Sequence, residues 1–227
     1  MKVPQTGVII AAAGEGRRLG YALPKALVPV AGKPLFLHSV LTFAALPFVR
    51  EIVVVLPEDW IERIRARYGK ILARKKVRTL VPGGARRQDS VLQGLRASSS
   101  PIILVHDAAR PLVRGEAIRN VALAASRHGA AVLAAPAVDT VKIADRKGWV
   151  VDTPDRTSLW LAQTPQGFRR RLLLTAYQVN GEADATDDVQ LVERSGRKVM
   201  IVPSQSANFK ITTPEDLERA KKLLDKV

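Results

Sequence analysis

The sequence predicts an α/β fold with a mostly parallel sheet covered by helices, and three observations carry that expectation. Short β-branched runs alternate with longer amphipathic stretches from residue 7 to residue 137. The first of these runs, Gly7 to Ala12, is followed by a helical stretch at 34–45 and a second run at 51–56, the βαβ rhythm of a mostly parallel sheet. The chain has 227 residues, 47% of them hydrophobic, enough to bury a substantial core.

Taken in order, strands are expected at 7–12, 51–56, 77–81, 102–106 and 131–137, and helices at 34–45, 58–68, 87–97 and 115–128. The alternation breaks at 139–160. There Thr140-Val-Lys-Ile-Ala144 and Trp149-Val-Val-Asp-Thr153 flank the polar turn Asp145-Arg-Lys-Gly148, which predicts a β-hairpin. A lone hairpin is marginal in water, so this one is expected to rest on another surface, a second subunit being the first choice. A strand at 160–163, helices at 170–180 and 186–195 and a strand at 199–203 follow. The closing helix starts at Thr213-Pro214-Glu-Asp216, a capping residue with Pro at the first helical position and acids in the first turn. The expected organisation is one domain over 1–227, with 139–160 as an arm.

Composition narrows the chemistry. With no cysteine, thiolate metal sites, disulfides and cysteine nucleophiles are excluded, in agreement with a reducing, cytoplasmic location. No apolar run approaches the ~20 residues of a membrane span. The 36 Lys and Arg against 21 Asp and Glu give a formal charge of +15, which would suit nucleic-acid binding. The basic residues are scattered, however, with little aromatic interleaving for base stacking, so solubility and attraction of small polyanions are the preferred readings.

Parallel sheets hold ligands at their carboxyl edge, and three segments there carry chemistry. The first strand runs into Ala11-Ala-Ala-Gly-Glu-Gly-Arg-Arg-Leu-Gly20, with Lys25 close behind. Small residues let backbone N–H groups approach phosphate oxygens, and Arg17, Arg18 and Lys25 add positive charge. The spacing departs from the dinucleotide fingerprint, and no Walker string occurs in the chain. The strand at 102–106 ends in Asp107-Ala-Ala-Arg-Pro111. Asp107 is a candidate magnesium ligand, since a single carboxylate with triphosphate oxygens and water satisfies that ion; the alternative makes it a helix cap paired with Arg110. His106 reads as structural. Val81-Pro-Gly-Gly84 opens a turn where Gly83, Gly84 and the Ser90 hydroxyl could read a base edge, or simply join strand to helix.

Together these strings resemble the 2-C-methyl-D-erythritol 4-phosphate cytidylyltransferases of the non-mevalonate isoprenoid pathway, over almost the whole chain. The resemblance rests on A-A-G-x-G-R-R through Lys25, G-G-x-x-R-x-x-S from Gly83 to Ser90, V-H-D-A-A-R-P from Val105 and A-P-x-x-D-T-x-K from Ala135. It continues through Asp155-Arg156, Gln163-Thr164-Pro165-Gln166 and F-K-I-T from Phe209. It implies a doubly wound nucleotidyltransferase (Rossmann-like) fold whose protruding arm is exchanged across a homodimer, with CTP as co-substrate and Mg2+ or another divalent cation. It further implies that Arg18 and Lys25 hold the triphosphate and Asp107 the metal, while Ala12, Ala13, Gly14, Gly16, Gly83, Gly84 and Ser90 contact the cytidine nucleotide. Arg110, Thr164, Thr186 and Lys210 would position the acceptor phosphate, with Thr140 and Arg156 reaching in from the partner's arm; Arg156 and Lys210 count with Arg18 and Lys25 among the catalytic cations. Ala85 and Ala11 depart from the residues common in the family at those positions, with little expected effect.

Transfer of CMP to such an acceptor needs no protein nucleophile, because the attacking phosphate oxygen is already negative, so positioning and electrostatics would do the catalysis. The rival readings are a ribitol 5-phosphate cytidylyltransferase, which Ala108-Ala109 disfavours, a basic nucleic-acid-binding module, and a scaffold assembled through the arm.

Overall fold

The computed structural model describes residues 3–14, 23–204 and 207–225. Seven strands form one sheet: β1 (Thr6–Ala11), β4 (Val49–Leu56), β5 (Val77–Pro82), β6 (Ile102–Asp107), β7 (Ala130–Pro136), β10 (Trp160–Arg169) and β11 (Met200–Pro203). Their order across the sheet is β11-β7-β10-β6-β1-β4-β5. All pairings are parallel except those of β10, which runs antiparallel between β6 and β7. The amino-terminal half of β10 therefore lies at the same edge as the carboxyl ends of the other strands.

Side-chain alternation along the strands divides the core in two. Val8 and Ile10, Val54 and Leu104 face one layer, with α1 (Leu35–Ala44), α2 (Ile61–Arg74) and α4 (Gly115–His128) packed on them through Phe43, Ile64 and Val121. Ile9, Val55, Ile103 and Val105 face the other, covered by α3 (Arg87–Ala97), α5 (Arg170–Asn180) and α6 (Asp188–Arg194) through Leu95, Leu173 and Leu191. Helices on both faces make the sheet doubly wound and explain why its central strands are apolar without interruption.

A third, smaller cluster joins α7 (Pro214–Leu224) to a short hairpin, β2 (Pro29–Val30) and β3 (Lys33–Pro34), through Val28, Val30, Leu35, Ile211 and Leu217. Thr213 caps α7 as its sequence predicts, exchanging hydrogen bonds with Asp216 in a capping box. This packing delivers the 207–211 segment to the carboxyl edge of the sheet. The hairpin β8 (Ile143–Ala144) and β9 (Val150–Asp152) is shorter than its sequence suggests and forms a separate two-stranded sheet. Asp145 shapes its turn by accepting from the Lys147 and Trp149 N–H groups. Along this arm Val138, Trp149, Val150 and Val151 are exposed, Val138 and Trp149 by 78% and 73%.

Two further elements run longer than the sequence reading. Helix α2 continues past Tyr68 to Arg74, because Gly69 is tolerated on a helix whose other face is packed. β10 extends from the expected 160–163 to Arg169, because beyond a register irregularity between Ala162 and Gln166 the strands on both sides pair with Gln166, Gly167 and Phe168.

Candidate active site

The carboxyl edge opens into a cleft of about 770 Å3, lined by residues 11–14, 25–26, 84–87, 90, 107–109 and 210. The segment leaving β1 is suspended between its neighbours: Ala12 N–H donates to the Val55 carbonyl at 2.9 Å, and Ala108 N–H to that of Ala11 at 3.0 Å. Opposite it, Gly83 N–H donates to the Leu56 carbonyl at 2.9 Å. A Cβ on Gly83 would stand 2.3 Å from the Ala13 Cβ, and one on Gly84 would stand 2.5 Å from the Asp89 Cβ. Glycine is needed at both because the turn closes on its neighbours, not because of an unusual φ. The Ser90 hydroxyl accepts from Gly84 N–H at 3.0 Å and donates to the Arg86 carbonyl at 3.2 Å, so it shapes this turn.

Asp107 ends β6 at the floor of the cleft. Its Oδ1 accepts from Arg87 Nε at 3.1 Å and its Oδ2 from Lys210 Nζ at 2.8 Å. Burial alone would push its carboxyl pKa up; the Arg87 and Lys210 charges outweigh this and hold it well below the usual carboxylate range. The alternative that Asp107 pairs with Arg110 is not what forms. The Arg110 guanidinium donates instead to the Asn208 carbonyl at 2.8 Å.

Lys210 reaches Asp107 because its segment is stitched down on both sides. Ile211 N–H donates to the Ala109 carbonyl at 2.9 Å, and Asn208, 1% exposed, donates through Nδ2 to the Thr164 carbonyl at 2.8 Å.

Beneath Asp107 lies a neutral relay. Thr164 Oγ1 accepts from the Asp107 N–H at 3.1 Å and lies 3.0 Å from His106 Nδ1, while His106 Nε2 lies 3.1 Å from the Arg110 carbonyl. Only a tautomer with hydrogen on Nε2 serves both contacts, so Thr164 donates to Nδ1. Full burial lowers the His106 pKa to about 4 and keeps the ring neutral, in keeping with its structural reading.

The structure thus gathers Ala12, Ala13, Gly14, Lys25, Gly84, Ser90, Asp107 and Lys210 around the cleft, with Gly83 and Thr164 directly behind its walls. Thr186 is exposed just before α6, its N–H held by Gln190 Oε1 at 3.1 Å. Thr140 and Arg156 stand exposed on the arm, where Arg156 Nη1 donates to the Val138 carbonyl at 2.9 Å. Gly16, Arg17 and Arg18 lie outside the described residues.

Sequence reasoning missed Arg87 and its partners Asp188 and Tyr177, although Arg87 falls within the quoted G-G-x-x-R-x-x-S string. Arg87 Nη1 donates to Asp188 Oδ2 at 2.8 Å. As for a metal, no cluster of three or more His, Cys, Asp or Glu side chains exists among the described residues. Asp107 is the acid in the cleft wall, and both its oxygens already face cations. This donor set does not build a resident metal centre; it suits one carboxylate touching an ion that arrives on phosphate oxygens.

The family model described as 2-C-methyl-D-erythritol 4-phosphate cytidylyltransferase matches residues 6–226. A protein of that name from Syntrophus aciditrophicus is 40% identical over 227 residues, covering 98% of this chain and 97% of its own. Another from Symbiobacterium thermophilum is 42% identical over 230 residues, covering 99% and 94%. Among solved structures, the Thermus thermophilus 2-C-methyl-D-erythritol 4-phosphate cytidylyltransferase superposes with a TM-score of 0.81 at 36% identity, covering 99% of this chain and 100% of its own. The 4-diphosphocytidyl-2C-methyl-D-erythritol synthase from Anaerococcus prevotii gives 0.84 at 31%, covering 98% and 96%. With its doubly wound sheet, its glycine-walled cleft and these relatives along its whole length, the chain belongs to the 2-C-methyl-D-erythritol 4-phosphate cytidylyltransferase family.

Proposed function

We propose that this protein transfers CMP from CTP to 2-C-methyl-D-erythritol 4-phosphate, releasing pyrophosphate. The observation that carries the reading is the meeting of Lys25, Asp107 and Lys210 with the narrow Gly83-Gly84 turn in one cleft of a chain of this family. An oxygen of the acceptor phosphate attacks the α-phosphorus of CTP. The bond from that phosphorus to the oxygen shared with the β-phosphate breaks, and pyrophosphate leaves. Two polyanions must approach each other, so fixed cations do the work that acid–base pairs do elsewhere.

In this reading the backbone of 12–14 and of the Gly83-Gly84 turn flanks the nucleotide, and Lys25 and Arg18 neutralise the triphosphate. Lys210 faces the junction where the phosphates meet, and Arg110 and Thr186 belong to the acceptor side. Asp107 would be the protein ligand of a divalent ion carried in on the CTP phosphates, and such an ion would supply positive charge to the departing pyrophosphate. The arm belongs to a homodimer, each protomer lending Thr140 and Arg156 to the other's cleft; its exposed tryptophan and valines support this. The absence of cysteine supports a cytoplasmic location, and no described helix is long and apolar enough to cross a membrane.

A pyrophosphate-release assay pairing each nucleoside triphosphate with methylerythritol phosphate and with ribitol 5-phosphate tests the reading. Turnover is expected with CTP and methylerythritol phosphate. Faster turnover with another pair, or none with this one, would replace it.

A further inference from the structure

Asp107 has two cationic partners that are held in very different ways. Arg87 grips it with two nitrogens, Nε and Nη2, each 3.1 Å from Oδ1. The third nitrogen, Nη1, donates at 2.8 Å to Asp188. The Asp188 side chain is 0% exposed. Its other oxygen accepts from the Tyr177 hydroxyl at 2.6 Å, and its N–H donates to Gln166 Oε1 at 3.2 Å. Every nitrogen of the Arg87 guanidinium is therefore committed, and its rear partner is locked from two further directions. Lys210 makes a single contact to Asp107 through a side chain that is 39% exposed. A planar guanidinium can bridge two carboxylates in fixed geometry, whereas an ammonium on a flexible stem exchanges partners readily.

We propose that Arg87 is a positioning residue for the transfer reaction: backed by Asp188 and Tyr177, it fixes the Asp107 carboxylate so that Lys210 can leave it for substrate phosphate without Asp107 moving. Lys210 is the exchangeable partner and Arg87 the permanent one. The inference deepens the proposed function and rests on Asp107 being part of the reacting site.

The design must separate positioning from folding, because removing Arg87 alone strands the buried Asp188 charge. Arg87→Met combined with Asp188→Asn removes both charges and leaves Tyr177 an acceptor. Arg87→Lys keeps one charge that cannot span both carboxylates. Asp107→Asn serves as the control on the site itself. For each, kcat and KM are measured by pyrophosphate release with CTP and methylerythritol phosphate, alongside Tm and the Kd of CTP by calorimetry in MgCl2. In the double variant and in Arg87→Lys, kcat is expected to fall roughly 10- to 100-fold while the Kd of CTP stays within about threefold, the loss of positioning rather than of binding. A kcat within about twofold of the parent overturns the proposal, as does a loss that lowering the temperature to offset a reduced Tm fully restores. If Asp107→Asn is impaired while the Arg87 variants are not, only the positioning role fails; if Asp107→Asn turns over normally, the site assignment itself fails.

Discussion

Lys210 Nζ lies 2.8 Å from Asp107 Oδ2, although 103 residues separate the two along the chain. The contact holds a cation at the carboxyl edge of the sheet, in the wall of the cleft. A cation already at hand where negative charge develops is costly to remove, whether it stays on its carboxylate or exchanges onto phosphate.

Lys210→Ala and Lys25→Ala are each expected to lower kcat by roughly 100-fold, by analogy with loss of one oxyanion-stabilising donor. Arg18→Ala is expected to do the same. Initial-rate pyrophosphate release at saturating CTP and methylerythritol phosphate measures this, and near-parental turnover in any of the three would strip that residue of its role.

Gly83→Ala tests the close approach of the turn to the loop after β1. Its new methyl would sit 2.3 Å from the Ala13 Cβ, so one wall of the cleft must shift. Overpacking of this kind costs about 1–3 kcal/mol, which corresponds to a rise of roughly 5- to 150-fold in the KM for CTP if the strain falls on the nucleotide site. An unchanged KM with an unchanged Tm would mean that the two segments part without cost.

Acid stability should reflect Glu51 at the opposite edge of the sheet. Burial would raise its pKa, but hydrogen bonds from Ser98, Arg78, Ser100 and the Ser99 N–H bring it down to about 2. Because the folded pKa lies below the unfolded value near 4.5, this stabilisation is fully present above pH 4.5 and disappears as the pH falls towards 2. The His106 pKa of about 4 acts in the same sense at higher pH, since the unfolded chain takes up that proton first as the pH drops from about 6.5. Urea unfolding at pH 7 and at pH 3 should show Glu51→Gln less stable at pH 7 by about 2 kcal/mol and much closer to the parent at pH 3. An equal deficit at both values would contradict the assignment.

Charging the arm should separate the protomers. Trp149→Asp with Val151→Asp places carboxylates on side chains that are 73% and 61% exposed in the single chain. Sedimentation should shift from dimer to monomer, and turnover should fall with it, because Thr140 and Arg156 would no longer reach a neighbouring cleft. A parent protein that already sediments as a monomer would remove the arm's proposed purpose.

Much of the fold was legible because hydrophobic periodicity is a local property. Helices α3, α4 and α5 fall where the periodicity places them, and so does the Thr213 cap. β10 runs past residue 163 because Gln166, Gly167 and Phe168 pair with β6 on one side and β7 on the other, across a register irregularity between Ala162 and Gln166 that no local pattern reveals. The hairpin of β2 and β3 went unseen because each strand is only two residues long, too short for any alternation to register.

By itself the sequence determined the alternation of strands and helices, the glycine turns at the strand exits and the strings that mark the family. Only the tertiary structure decided which charges meet. Lys210 reaches Asp107 through the packing of α7 on the β2–β3 hairpin, and Arg87 meets an aspartate 101 residues away because α3 and α6 cover the same face of the sheet. The type of an element and its apolar face can be read from neighbours in the chain, whereas an ion pair forms only within a few ångströms, a separation set by strand order and loop path together.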